Sequence, residues 1–136
     1  MIIQLNQIEG FHFEALNESG ASVHMDASPA IGGNNLGARP MELLIMGLGG
    51  CSSIDIINIL KKQRIEVTGM KIKINAEREP NVEPSLFRKI HVDFYFSGKI
   101  DQNKAKKAAD LSMEKYCSVA KTLEKTADIT YNLHFE

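Results

Sequence analysis

The stretch Met41–Leu60, MELLIMGLGGCSSIDIINIL, is the most apolar of the chain and decides how the rest is read. It has the length of a membrane span, but it carries Glu42, Asp55, Asn58, two serines and three glycines. That is too polar for a helix facing lipid. Pro40 stands just before it, where a helix-starting proline fits because its missing N–H is not needed in the first turn. Lys61, Lys62 and Arg64 follow, suited to the negative pole of a helix dipole. The reading is a long central helix, apolar nearly all round and therefore buried. Gly47, Gly49 and Gly50 each cost about 1 kcal/mol in a helix interior relative to alanine. A close helix–helix approach, within or between subunits, is the physical reason to keep them.

Outward from this helix the pattern changes to a period of two. On the N-terminal side, Phe11, Phe13 and Ala15 share one face while His12 and Glu14 point away. Asn17-Glu18-Ser19-Gly20 supplies a turn, Ser22–Asp26 returns, and Ile2–Leu5 offers a third strand, so the segment reads as a meander. Residues 27–38, ASPAIGGNNLGA, form a loop without periodicity. On the C-terminal side, Met70, Ile72, Ile74 and Ala76 alternate with polar residues, as do Ile90, Val92, Phe94 and Phe96. The two runs predict a hairpin with one polar face. Asp101 is placed to cap a helix whose inner face carries Ala105, Ala108, Ala109 and Ser112. A short helix follows over Ser118–Lys125, then a last strand through Ile129, Tyr131, Leu133 and Phe135. The expected class is α+β, with antiparallel sheets and the long buried helix in a single domain over 1–136.

Composition narrows the function. The chain has 136 residues, a net charge of −1, 43% hydrophobic and 24% charged residues. This is the profile of an ordinary globular domain. The charge balance speaks against nucleic acid and against an anionic membrane surface as partners. The N-terminus MIIQLNQIEG has no basic region followed by a long apolar one, so a cytoplasmic location is expected.

Cys51 and Cys117 lie 66 positions apart, a spacing that fits no zinc site. In a reducing setting such a pair is catalytic, redox-active or inert. Cys51, mid-helix, gains little from the helix dipole, and on its own it reads as a small buried hydrophobe. Cys117 precedes a helix start whose N–H groups offer support to a thiolate. Asp55, four residues after Cys51, shares its helix face and disfavours a thiolate there unless a cation sits between them. An interface aspartate bonded to backbone or to a basic residue is the simpler reading. The four histidines, His12, His24, His91 and His134, form no ligand pair at helical spacing, so no metal is implied.

Pro40-x-Glu42-Leu43-Leu44 running to Gly49-Gly50-Cys51, with Tyr116-Cys117-Ser118-Val119-x-x-x-Leu123 downstream, resembles the OsmC/Ohr family, in particular its poorly characterised OsmC-like branch. The order of strands and helices matches over most of the chain. The resemblance implies an intertwined homodimer and a thiol-dependent peroxidase reducing organic hydroperoxides. Cys51 would be the peroxidatic cysteine and Cys117 the resolving one, with a dithiol as reductant and no metal or organic cofactor. Family members with this activity carry a Glu directly after the motif proline, where this chain has Met41. Glu42 stands nine positions before Cys51, which turns it about 180° away on a straight helix. They also use an Arg from the N-terminal strands or the loop after them, and the first arginine here is Arg39, beside Pro40. It matches by neighbourhood rather than by position and is the candidate cation for the site. Ile45, Met46, Leu48 and Ile54 would line an apolar substrate pocket. The alternatives are a dimer without peroxidase turnover, binding a hydrophobic small molecule or acting as a thiol redox sensor, and a protein whose two cysteines only pack.

Overall fold

A computed structural model describes residues Met1–Glu136, and the chain forms two compact units, Met1–Leu44 and Ile45–Glu136.

In the first unit, strands β1 (Gln4–Glu9), β2 (His12–Leu16) and β3 (Ser22–Met25) form an antiparallel meander. The alternation around Phe13 and Ala15 is met by pairing Phe13 with Met25 and Ala15 with Val23. The first strand runs two residues later than expected and ends in an irregular register between Gln7 and Glu9. The loop after β3 is organised by one side chain. Asp26, only 3% exposed, accepts from the backbone N–H groups of Ala27 (2.7 Å), Asn34 (3.0 Å) and Leu36 (3.1 Å). Gly33 passes so close to the Ala27 carbonyl that a Cβ there would overlap it, so the loop requires glycine at that position. Arg39 ends the loop. Its guanidinium donates to the Gly37 carbonyl (3.0 Å) and to Asn35 Oδ1 (2.6 Å).

Helix α1 spans Pro40–Lys62, and the boundary between the units falls in its first turns. Arg39 is its cap: the Leu43 N–H reaches the Arg39 carbonyl, and the Arg39 N–H donates to Glu42 Oε1 at 2.7 Å. An acid three residues into a helix that returns to the cap's N–H satisfies a donor otherwise left without a partner. Glu42 therefore serves the start of the helix. The helix continues unbroken through its glycines.

In the second unit, β4 (Gly69–Arg78) and β5 (Phe87–Ser97) form the expected hairpin, pairing Met70 with Phe96, Ile72 with Phe94 and Ile74 with Val92. Helix α2 (Gln102–Leu111) is capped by Asp101, whose side chain accepts from the Lys104 N–H. A π-helical turn over Ser112–Tyr116 leads to α3 (Ser118–Leu123), and β6 (Asp128–Phe135) closes the sheet in the order β4-β5-β6. Strand β6 pairs with β5 in parallel, with Phe94 beside Leu133 and Phe96 beside Phe135. The all-antiparallel expectation fails here for a simple reason. The helices between the two strands carry the chain back to the edge where β5 began, and such a crossover makes parallel neighbours. Ile90, Val92, Phe94 and Phe96 are buried on the inner face of β5. Each contributes about 1.5–3 kcal/mol relative to exposure. Ala105, Ala108 and Ala109 of α2 are fully buried, and their small size suits close packing.

The burial of α1 differs from the expectation. Leu48, Ser52, Ile56 and Leu60 are buried, a stripe with a spacing of four, and a Cβ at Gly49 would meet Ile74 of β4 at 3.2 Å. The remaining face is open: Met46 is 56% exposed and Ile54 69%. One chain thus encloses one side of an apolar helix and leaves the other side bare.

Burial alone would push the Asp26 carboxyl up, but the N–H donors of Leu36, Asn34 and Ala27, with His12 nearby, reverse this and hold it below its ordinary value. Its contribution to stability is therefore present above the ordinary carboxylate range and is lost as the pH falls through the depressed value. Amide exchange at Asn34 and Leu36 should accelerate on acidification in that window, and Asp26→Ala should show the fast exchange already at neutral pH. Unchanged protection in the variant would mean that the loop holds without the carboxylate.

Candidate active site

Cys51 lies in the middle of α1 and is half-buried; Cys117 is fully buried at the entrance to α3. Both thiols are free. The fold brings them together: the two Sγ atoms and a carboxylate oxygen of Asp55 all lie within 4.8 Å of one another. The helical spacing of four sets Asp55 beside Cys51. Cys117 arrives from the other side through the π-helical turn, where its N–H donates to the Ser112 carbonyl at 2.7 Å. A π turn inserts a residue into the helical repeat, and such insertions are frequent at functional sites.

Ser112 ties the two segments together. Its hydroxyl lies 3.0 Å from Asp55 Oδ2 and 3.4 Å from the Ser52 carbonyl, and its single proton suits the shorter, charge-assisted bond. Asp55 is thus bonded to a hydroxyl, and no salt bridge reaches it. Within the single chain no basic residue bonds to it. A cleft of about 470 Å³ opens beside it, with Lys62 and Tyr116 among its walls.

The electrostatics of Cys117 reverse one expectation. Its Sγ caps α3 by accepting from the Ala120 N–H at 3.3 Å, the helix-start contact that favours a thiolate. Burial outweighs it, and with Cys51 alongside the thiol is pushed up to about 11. At neutral pH Cys117 is a protonated thiol.

The other expected site residues distribute as follows. Arg39 belongs to the first unit, where Asn35 and Gly37 engage its guanidinium. Of the four residues expected to line an apolar pocket, Leu48 is fully buried while Met46 and Ile54 are exposed, so they do not share one wall. The histidines are not isolated. His12 Nε2 and His24 Nδ1 are 2.7 Å apart across β2 and β3. His134 bonds to Asp93 at 2.7 Å across β5 and β6, with His91 at 3.4 Å from the same carboxylate. The His134 hydrogen bond holds the Asp93 carboxyl below its ordinary value. Sequence spacing misses these pairs because strand register, not chain distance, creates them. Ser112 was legible only as an inner-face residue, and nothing in its spacing points to Asp55.

Comparison with known proteins places this geometry in a family. The family model described as OsmC-like protein matches residues 32–132, a range that includes both cysteines. Protein YhfA of Escherichia coli K12 is 37% identical over 133 residues, 97% of this chain and 96% of its own length. A crystal structure of a hypothetical protein from Aquifex aeolicus VF5 superposes with a TM-score of 0.80 at 28% identity, over 99% of this chain and 96% of that one. An organic hydroperoxide resistance protein OsmC from Legionella pneumophila shares the fold with a TM-score of 0.72 at 15% identity, over 98% of this chain and 95% of its own. With the family model spanning most of the chain and a relative similar along nearly its whole length, this protein belongs to the OsmC-like family.

Proposed function

We propose that this protein is a thiol-dependent peroxidase for organic hydroperoxides, acting as a homodimer in the cytoplasm. The observation that carries the reading is the approach of the Cys51 and Cys117 sulfurs to within 4.8 Å. Cys51, the more accessible of the two, attacks the terminal oxygen of the hydroperoxide as its thiolate. An S–O bond forms, the O–O bond breaks, and the alkoxide takes up a proton to leave as the alcohol. Cys51 is then a sulfenic acid. The Cys117 thiol condenses with it, releasing water and forming a disulfide. A dithiol reduces that disulfide and is itself oxidised. The order of events follows from access and charge: the half-buried, more accessible sulfur meets the substrate, and the buried protonated one waits for the sulfenic acid.

The dimer rests on the bare face of α1. Gly47, Gly50, Ile54 and Ile57 are spaced three, four and three apart, the rhythm of a helix–helix seam. A Cβ at Gly47 or Gly50 would meet nothing within 4 Å in the single chain. Alanine at either would favour the isolated helix by about 1 kcal/mol. Glycines in open space on an exposed apolar stripe suit a second backbone approaching closely.

One observation favours a second reading, a dimer without turnover that senses oxidation or binds an apolar ligand. A peroxidatic thiolate calls for a positive neighbour, and the group beside this pair is the Asp55 carboxylate.

One equivalent of cumene hydroperoxide added to the reduced protein should produce the Cys51–Cys117 disulfide within the mixing time of a mass measurement, with turnover once a dithiol is supplied. Cys51→Ser should abolish consumption. Cys117→Ser should stop after one equivalent with a sulfenic acid trappable by dimedone. Slow oxidation with no dependence on dithiol would establish the second reading instead.

Alkylation at neutral pH should label Cys51 first in the folded protein, with Cys117 reacting only after unfolding or as the pH approaches about 11. Equal labelling of both would contradict the burial of Cys117. Gly50→Leu should convert the dimer to a monomer of unchanged helicity in sedimentation, whereas a dimer that survives it does not use this seam.

A further inference from the structure

We propose that Cys51, Asp55 and Cys117 form a binding site for a thiophilic divalent cation, with zinc as the cation that fits best. The proposal stands independently of peroxide reduction, because it concerns the resting, reduced thiols.

The first argument is the donor set. Two sulfurs and a carboxylate oxygen converge within 4.8 Å, and each belongs to a different position on the wall of one site. Thiolate and carboxylate together suit a borderline-soft ion such as zinc, where oxygen-only sets suit magnesium or calcium. Zinc bonds of about 2.3 Å to sulfur at the tetrahedral angle set two sulfurs about 3.8 Å apart. The present separation needs a closure of about 1 Å at most, within reach of rotamer adjustment at Cys51 and Asp55, which are half-buried.

The second argument is orientation. Cys51 and Asp55 are four apart on a regular helix, the spacing that lets two side chains grip one ion. The Ser112 hydroxyl donates to Asp55 Oδ2 at 3.0 Å, which anchors the carboxylate beside the sulfurs. A hydrogen bond behind a ligating carboxylate fixes it and raises the affinity of a metal site. Cys117 is held by its own cap contact to Ala120.

The third argument is charge. Within the chain no salt bridge reaches Asp55, so a carboxylate stands beside two thiols with no cation bonded to it. Binding exchanges two thiol protons, which go to the solvent, for one divalent cation. The charge of the site is the same before and after, so a partly buried pocket gains the ion without acquiring net charge. Three protein ligands leave a fourth position for water or a small anion. That is the arrangement of an open zinc site rather than a closed structural one. The proposed site needs none of the four histidines, whose spacing implied no metal, and the 66 positions between the cysteines are closed by the fold.

The test uses the reduced, metal-free full chain titrated with cobalt(II), then with zinc in competition. Expected are one equivalent per chain, tetrahedral d–d bands and a thiolate-to-cobalt charge-transfer band, all displaced by zinc. Asp55→Asn should weaken zinc by at least the roughly 10–100-fold typical of losing an outer-shell partner. Cys51→Ser should lower the charge-transfer intensity and the affinity together, and circular dichroism checks that each variant is folded. The thiolate band separates this site from the exposed His12–His24 pair. An octahedral spectrum without that band, or zinc affinity unchanged by Asp55→Asn, would overturn the proposal. Failure of hydroperoxide turnover would leave it standing, since the metal titration involves no oxidant.

Discussion

The hydrogen bond from Ser112 to Asp55 is the constraint on which the site depends. It joins α1 to the π-helical turn that delivers Cys117, and it does so within a layer where Ser52 and Ser112 are both fully buried. A buried hydroxyl without a partner is costly, so this bond fixes the register between the two segments as well as linking them. A slide of one residue along α1 would strand the Ser112 hydroxyl and carry Cys51 away from Cys117. The proximity of the thiols accompanies a polar contact between helices, while the buried apolar side chains of β5 and α2 form the core of the same unit.

Cys117 shows how two general effects compete at one atom. A cysteine at a helix N-cap receives the N–H groups that stabilise negative charge. The same position, when fully enclosed, loses the water that would stabilise it more. Here enclosure wins, and the cap contact acts as a positional restraint on a neutral thiol. The sequence pattern of a cysteine before a helix therefore indicates where the sulfur points, and the surrounding packing decides its charge.

Much of the architecture was legible in the chain. The period-two runs at Met70–Ala76 and Ile90–Phe96 pair in the register their alternation demands, because slipping one residue would turn four large side chains out of the core. Asp101 caps α2 as its residue type and place suggest. The α+β class follows from the same patterns, and the OsmC-like fold from the resemblance carried by the two cysteine motifs. What failed to show was whatever depends on distant segments meeting. The parallel pairing of β6 is set by the crossover. The exposure of half of α1 is set by how much sheet a single chain can lay against it, and hydrophobicity alone does not say whether the cover comes from the same chain. Glu42 displays the opposite case: its displacement from the family position was visible, and the bond to the Arg39 N–H supplies the local reason for an acid there.

The sign of the charge beside the thiols is the point on which the chemistry turns. A sulfur that must attack an O–O bond is helped by a positive neighbour that lowers the energy of its thiolate. The ionisable group that stands with this pair is instead a carboxylate, and Arg39, the cation suggested by the sequence, has its guanidinium engaged by its own loop. What this site calls for is a positive charge that offsets Asp55 and takes the place of the thiol protons together. A divalent cation does that in one step, since it replaces both and satisfies Asp55 at the same time. The proposed peroxidase and the proposed metal site thus draw on the same two sulfurs, and the carboxylate beside them is the feature that suits a cation.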